Sequence, residues 1–158
     1  MAASFREMRK LLREPPGARA WPAGVGVAAF IPGQHAEAVH HLLTAAYKGG
    51  GGHVAPFSIW WEQLQNDEEY DPTLVFLARD AGGVLAGVAQ CWTSAFIKDL
   101  AVSEEWRRRG VATALLHHTF NVFWTRGAPW VGLKVQVGNP FGAEQLYRKV
   151  GMTAVDIG

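Results

Sequence analysis

Cysteine is nearly absent from this sequence, since Cys91 is the only one among 158 residues. A chain with a single thiol forms no internal disulfide and has no thiolate cluster that could hold zinc. The composition therefore argues against a disulfide-stabilised secreted domain and predicts no metal site. A reducing, cytoplasmic setting is the expectation that follows.

A strong net charge and long apolar runs are also missing. The formal net charge is +1, whereas nucleic-acid-binding domains usually carry a clear basic excess. A basic segment over residues 5–19 precedes an apolar stretch over 21–31, which resembles a secretory leader, but prolines and glycines interrupt that stretch. No run reaches the roughly 20 apolar residues of a membrane span. We therefore expect neither a nucleic acid nor a membrane as partner.

The composition that is present is that of a globular chain, with 49% hydrophobic and 18% charged residues. Its length suits one domain. Residues 1–20 are predicted to form an N-terminal appendage with a short helix that Pro15 and Pro16 end, and residues 21–158 are predicted to form a single domain.

The predicted elements of this domain follow the order β, α, α, β, β, β, α, β, α, β. The clearest signal is a hairpin, in which the turn over residues 80–83 joins two β-rich runs. A helix links the strand over 95–102 to the strand over 131–137, which is typical of a parallel crossover. A last helix is predicted over 140–150 with Asn139 as its cap, and the four glycines over 49–52 predict a mobile loop. The sequence thus predicts an α/β protein with a mixed sheet.

The helix that follows residue 110 begins with unfavourable charges. Arg107, Arg108 and Arg109 crowd its N-terminus, where the helix macrodipole disfavours fixed cations. The misfit disappears if an anion occupies the turn, because free backbone amides and guanidinium groups together bind phosphate. Gly110 and Ala112 would leave those amides accessible. The alternative is a solvated basic turn in front of an ordinary core helix.

Two motifs on these elements resemble the GNAT superfamily of N-acetyltransferases. The segment Arg107-Arg108-Arg109-Gly110-Val111-Ala112 is similar to its acyl-CoA pyrophosphate loop, [Gln/Arg]-x-x-Gly-x-[Gly/Ala]. The segment from Val137-Gly138-Asn139 through Leu146-Tyr147 to Gly151-Met152 is similar to its second block. The resemblance covers about residues 25–157. It implies a GNAT-type α/β fold whose mixed, mostly antiparallel sheet is flanked by helices and has a V-shaped split between the fourth and fifth strands.

The same resemblance implies roles for individual residues. Backbone amides of the arginine turn would hold the pyrophosphate of acetyl-CoA, the neighbouring arginines would add charge, and the preceding strand would lie beside the pantetheine arm. Tyr147 would be the general acid that protonates the departing thiolate, although a tyrosine on an apolar helix face is also an ordinary core residue. The implied cofactor-binding residues are Leu100, Val102, Arg107, Arg108, Arg109, Gly110, Ala112, Thr113 and Asn139.

The second catalytic residue is less determined. Asp99, on the strand beside the implied thioester site, is the best candidate for the general base, and its alternative is a strand carboxylate paired with a nearby cation. Some family members carry an acid at the positions of Lys98 and Lys134. Because this chain has lysines there, neither position supplies a carboxylate base. Asp67, Glu68, Glu69 and Asp71 would either attract a cationic acceptor or form a solvated surface.

We therefore expect an acetyl-CoA-dependent N-acetyltransferase that acts on a primary amine of a small molecule or peptide by direct attack on the thioester. The alternative is a non-catalytic acyl-CoA-binding sensor. The chain has few residues after Gly151, so the last edge of the sheet must be covered. The expectation is either a homodimer or coverage by residues 1–20.

Overall fold

The computed structural model describes residues 4–48, 53–139 and 142–155. The strands are β1 Phe5–Leu11, β2 Val25–Ala29, β3 Tyr70–Asp80, β4 Leu85–Trp92, β5 Phe96–Val102, β6 Trp130–Gln136 and β7 Thr153–Ala154. The helices are α1 Pro32–Tyr47, α2 Phe57–Asn66, α3 Val111–Thr125 and α4 Ala143–Lys149, with a short 3-10 turn at Glu104–Trp106. In this part of the chain one seven-stranded sheet has the order β2-β3-β4-β5-β6-β1-β7.

The N-terminal segment is a strand, so the predicted helix over these residues is wrong. β1 pairs antiparallel with β6 along its whole length and with β7 at Met8 and Arg9. Its Arg, Glu, Met, Lys and Leu residues have high helix propensities, but ladder hydrogen bonds to two strands outweigh those preferences. Met8 is 0% exposed in the core. β1 therefore covers the edge of β6. This agrees with the expectation that residues 1–20 cover an edge of the sheet.

The rest of the element order follows the sequence predictions. The hairpin β3–β4 and the antiparallel pairing of β4 with β5 are confirmed, and β6 pairs parallel with β5 after the crossover through α3. The strands that the sequence predicts as fourth and fifth are β5 and β6 of the structure, because β1 is not among the predicted strands. The predicted mobile loop over 49–52 lies outside the described residues.

The start of the last helix needs a correction. α4 begins at Ala143, after a left-handed Gly142 with φ of 74° that occupies the N-cap position. The predicted start at residue 140 lies outside the described residues, and Asn139 is not the residue that caps this helix. A helix start three residues later leaves Asn139 on the connection between β6 and α4.

The sheet separates two hydrophobic cores. One core lies under α3 and α4 and includes Leu115, Phe120 and Tyr147, and the other lies under α1 and α2 and includes Leu43 and Trp60. The assignment of a strand residue to one core or the other therefore shows which face of the sheet it occupies. Among the described helices, none is long and apolar enough to cross a membrane.

Candidate active site

The parallel strands β5 and β6 separate near the middle of the sheet. Their pairing is limited to Phe96 with Gly132 and Ile97 with Leu133, although β5 continues to Val102 and β6 to Gln136. A cleft opens beyond these pairs. It is lined by both strands, by Ala46 and Tyr47 of α1, and by Ala143 and Tyr147 of α4. Since α1 and α4 cover opposite faces, the cleft passes through the sheet.

A β-bulge at Lys98 fixes which way the next side chain points. Two consecutive residues of β4 lie opposite Ile97 and Asp99, so Lys98 is the extra residue. In a regular strand Ile97, Asp99 and Ala101 would share one face, because side chains alternate. Here Ile97 lies in the core under α3 and α4, whereas Ala101 lies in the core under α1 and α2. The bulge therefore turns Asp99 toward α1.

The other end of the site is the turn that precedes α3. Gly110 is left-handed with φ of 90° and stands at the N-cap, where no side chain caps the helix within the described residues. The first amide that bonds back into the helix is that of Ala114, 3.0 Å from the carbonyl oxygen of Gly110. The amides of the first helical turn are thus available to an anion, at the positive end of the macrodipole. Arg108 also has a positive φ, of 62°, which costs roughly 1 kcal/mol or more in a residue other than glycine.

The arginines of this turn take different positions. Arg107 and Arg108 line the cavity in front of α3, together with Ala112 and Thr113. The guanidinium of Arg109 instead stacks over the ring of Trp106, with its Cζ 5.3 Å from the ring centroid. Two cations and the free amides therefore converge on one cavity, which suits a phosphate group.

This cavity and the cleft form one groove. Arg107 and Val102 line both of them, and the Nε of Arg107 donates to the carbonyl oxygen of Val102 at 3.4 Å. Leu100 lies further along β5 inside the cleft. A long ligand could therefore extend from the N-terminus of α3 along β5 into the split.

The cleft also contains the residues from the second sequence motif. Asn139 and Tyr147 both line it. Tyr147 is 9% exposed, and burial raises the pKa of its hydroxyl to about 12. Tyr147 therefore stays protonated at neutral pH and is a proton donor rather than a base.

Asp99 reaches the cleft only through its neighbours. It is 6% exposed, its Oδ1 accepts a 2.7 Å hydrogen bond from the hydroxyl of Tyr47, and its Oδ2 lies 3.0 Å from the Nζ of Lys98. Tyr47 and Lys98 line the cleft, whereas Asp99 is not among its lining residues. Burial, followed by the charge of Asp99, raises the pKa of the Tyr47 hydroxyl, so this hydroxyl remains a neutral donor to the carboxylate.

Sequence reasoning missed Tyr47, which ends α1 and is the polar residue that α1 contributes to the cleft. The only local signal is its place at the end of an amphipathic helix, with Lys48 alone between it and the glycine run. The acidic residues over 67–71 would attract a cationic acceptor on one of the two sequence interpretations, but none of them is among the described residues that line the cleft. The pKa of Asp71 is lowered, first by hydrogen bonds from Thr73 and also by Arg126 just beyond the last residue of α3. The acidic run thus lies toward the opposite end of α3 from the arginine turn.

Comparisons with known proteins agree on one family. The model of the acetyltransferase (GNAT) family matches residues 36–152. A GCN5-related N-acetyltransferase from Sphaerobacter thermophilus is 31% identical and superposes with a TM-score of 0.82 over 96% of this chain and 48% of its own. This chain thus spans about half the length of that protein. No curated protein matches the sequence.

Two more distant structures show the same fold. A tandem GNAT protein from the clavulanic acid biosynthesis pathway is 17% identical, with a TM-score of 0.66 over 98% of this chain and 51% of its own. The ribosomal-protein-S18-alanine N-acetyltransferase from Escherichia coli is 20% identical, with a TM-score of 0.64 over 80% of this chain and 76% of its own. Because the family model spans most of the sequence and the Sphaerobacter structure aligns along nearly all of it, the chain belongs to the acetyltransferase (GNAT) family.

Proposed function

We propose that this protein is an acetyl-CoA-dependent N-acetyltransferase that transfers an acetyl group to a primary amine of a small molecule or peptide. The observation that carries the proposal is the continuous groove from the free amides of α3 to the split between β5 and β6, where Tyr147 is buried. Family membership and the names of the Sphaerobacter and Escherichia coli proteins support an N-acetyl transfer.

The residues of the groove fit the donor substrate. The open amides of Gly110 to Thr113, with Arg107 and Arg108, would hold the pyrophosphate. The side chain of Arg109 would stabilise the turn by stacking on the ring of Trp106. Leu100 and Val102 would flank the pantetheine arm inside the split, with Asn139 as a hydrogen-bonding residue on the opposite wall. Acetyl-CoA supplies an activated acetyl group as a thioester.

Direct transfer requires two proton movements. The amine nitrogen bonds to the acetyl carbon, the carbon–sulfur bond breaks, and the sulfur takes a proton. Tyr147 is the proposed donor of that proton, because its hydroxyl is buried in the cleft and stays protonated. Backbone amides of β5 that no longer pair with β6 would polarise the thioester carbonyl.

The proton that the amine loses would pass toward α1. Asp99 is the proposed acceptor of that proton. Because Tyr47 lines the cleft and its hydroxyl donates to Asp99, the amine would contact Tyr47 and not Asp99 itself. As the amine proton moves to the Tyr47 oxygen, the Tyr47 hydrogen moves to Oδ1 of Asp99. Tyr47 is thus neutral and Asp99 is protonated after the step. Tyr147, which has given its proton to sulfur, is left as a phenolate, and the proton held by Asp99 and the one that Tyr147 regains are exchanged with water before the next turnover.

A thiol-release assay tests this proposal. The purified protein is incubated with acetyl-CoA and a panel of primary amines, free thiol is measured with a chromogenic disulfide, and the acetylated product is identified by mass spectrometry. CoA affinity is measured in parallel by calorimetry. We expect tight CoA binding and thiol release with at least one amine. CoA binding without release for any amine would identify the sensor instead, and absence of CoA binding would exclude both.

A further inference from the structure

We infer that the acceptor amine carries an anionic group close to its nitrogen, and that Lys134 binds this group at the α1-facing mouth of the cleft. The inference rests on the proposed function, since it concerns the acceptor of the same reaction. It is carried by the charges of the cleft, by the face on which Lys134 lies, and by the direction of the Tyr47 hydrogen bond.

The charges that line the cleft are all positive. They belong to Lys98, Arg107 and Lys134, and no Asp or Glu side chain is among the described residues that line it. Asp99, the neighbour of Lys98 on β5, is buried, accepts from Tyr47 and is already paired with Lys98. Arg107 lies at the end that adjoins the arginine turn. A polycationic amine would therefore meet repulsion at this mouth.

Lys134 lies on the α1-facing side of the split. Leu133 and Val135, its neighbours on β6, are buried in the core under α3 and α4, so alternation puts Lys134 on the opposite face. Lys134 is exposed, and within the described ranges no ion pair involves it. Glu7 lies opposite Lys134 in the β1–β6 register, but its Oε2 accepts from the Nε of Arg9 at 2.8 Å. The ammonium of Lys134 is thus free to bind a ligand.

Tyr47 presents a hydrogen-bond acceptor to the same mouth. A tyrosine hydroxyl has one hydrogen, and that of Tyr47 is donated to the carboxylate of Asp99. The remaining lone pairs of its oxygen are available on the cleft side, where they can accept from an amine nitrogen. The mouth therefore offers one acceptor for the amine and one separate cation beside it.

This pair of groups matches an amine with a nearby carboxylate or phosphate. The nitrogen would bind at Tyr47 and the anion at Lys134, on the two walls of one opening. An amino acid or a peptide with an acidic residue beside its amino terminus has this chemistry, whereas a diamine does not. An ion pair at a partly exposed lysine contributes modestly, so we expect a preference of about fivefold in kcat/KM.

The test compares matched acceptors and matched variants. Unmodified protein is assayed with ω-amino acids of increasing length, with their primary amides, and with diamines of the same lengths. A peptide with Asp in its second position and its Asn counterpart form a second arm, which distinguishes free amino acids from peptides. The variants are Lys134→Glu and the control Lys149→Glu, which makes the same charge change on an exposed residue of α4 outside the cleft.

We expect unmodified protein to favour each acid over its amide by about fivefold, and the diamine to be poorest. Lys134→Glu should remove or invert that order while CoA affinity stays unchanged, and Lys149→Glu should retain it. Equal kcat/KM for acid and amide in both arms would overturn the inference, as would an equal effect of the two variants. Absence of turnover with every amine would overturn the proposed function and this inference with it, whereas turnover without preference overturns the inference alone.

Discussion

The hydroxyl of Tyr47, the last residue of α1, donates a 2.7 Å hydrogen bond to Oδ1 of Asp99 on β5. The bond crosses from the helix to the strand beside the split. Asp99 faces Tyr47 because the bulge at Lys98 reverses the alternation of β5. The carboxylate that sequence reasoning favours as a base is therefore reached through a phenol, and the mutations that test it begin with that phenol.

Tyr47→Phe should lower kcat/KM for the amine by about tenfold or more, because it removes both the hydrogen-bond acceptor for the amine and the proposed proton path to Asp99. CoA affinity should not change, since Tyr47 does not line the cavity of the arginine turn. Steady-state kinetics with both substrates and CoA calorimetry measure the two effects. The control is Tyr70→Phe, whose hydroxyl is buried without a hydrogen-bond partner among the described residues. A similar fall in kcat/KM in both variants would contradict a specific role for Tyr47.

Tyr147→Phe should lower kcat on the order of 100-fold, which is within the range for loss of a general acid. Its effect on CoA affinity should be small, because the variant keeps the ring that packs in the core. Single-turnover measurement of thiol release isolates this chemical step from product release. An unchanged rate would remove Tyr147 as the acid.

The two cleft tyrosines should make the protein less stable in alkali. Burial raises the pKa of Tyr147 from 10.0 to about 12, so between these values the folded state binds more protons than the unfolded state. The free energy of unfolding therefore falls as pH rises through this window, and the stabilising contribution is complete below about pH 10. Denaturant unfolding at about pH 9 and about pH 11 should show a smaller loss in Tyr147→Phe than in unmodified protein. Parallel losses would indicate that Tyr147 does not titrate in this range.

Gly110 and Gly127 provide a matched pair at the two ends of α3. Both have a left-handed backbone, with φ of 90° and 79°. An added Cβ would make only an ordinary contact at Gly110, 3.7 Å from Cγ of Pro22, and would meet no atom within 4 Å at Gly127. Each alanine substitution should cost about 1 kcal/mol of stability from backbone strain. Only Gly110→Ala should also weaken CoA binding, because only Gly110 lies at the arginine turn. Calorimetry and thermal unfolding of both variants separate these effects, and an equal loss of CoA affinity would count against the turn as the pyrophosphate site.

The sequence predicts the elements whose signals are local. The apolar positions of α3, including Leu115 and Phe120, repeat with helical spacing and are buried. The hairpin turn and the crossover through α3 likewise define the β3–β4–β5–β6 order. The motif residues Arg107 and Tyr147 line the groove because they sit at fixed ends of these elements.

The contacts between distant elements are not predictable in this way. Tyr47 and Asp99 are 52 positions apart, and only the single inserted residue at Lys98 decides that they face each other. One extra residue reverses a strand's faces, yet nothing in the composition of β5 marks it. For β1, the polar residues beside Met8 hide the alternation, because Arg6 extends to Glu144 and Lys10 lies near the Phe120 ring.

The burial of Met8 gives the clearest test that the N-terminal strand belongs to the sheet. Met8→Ala should lower the free energy of unfolding by about 2–5 kcal/mol, because it leaves a cavity where a fully buried side chain packs. Leu11→Ala truncates a similar side chain on the same strand, but Leu11 is 44% exposed, so its cost should stay near 0.5 kcal/mol. Denaturant titration of both variants measures the difference. Small and equal losses would mean that residues 5–11 are dispensable to the fold, whereas a large loss at Met8 alone requires β1 to form part of the cooperative core.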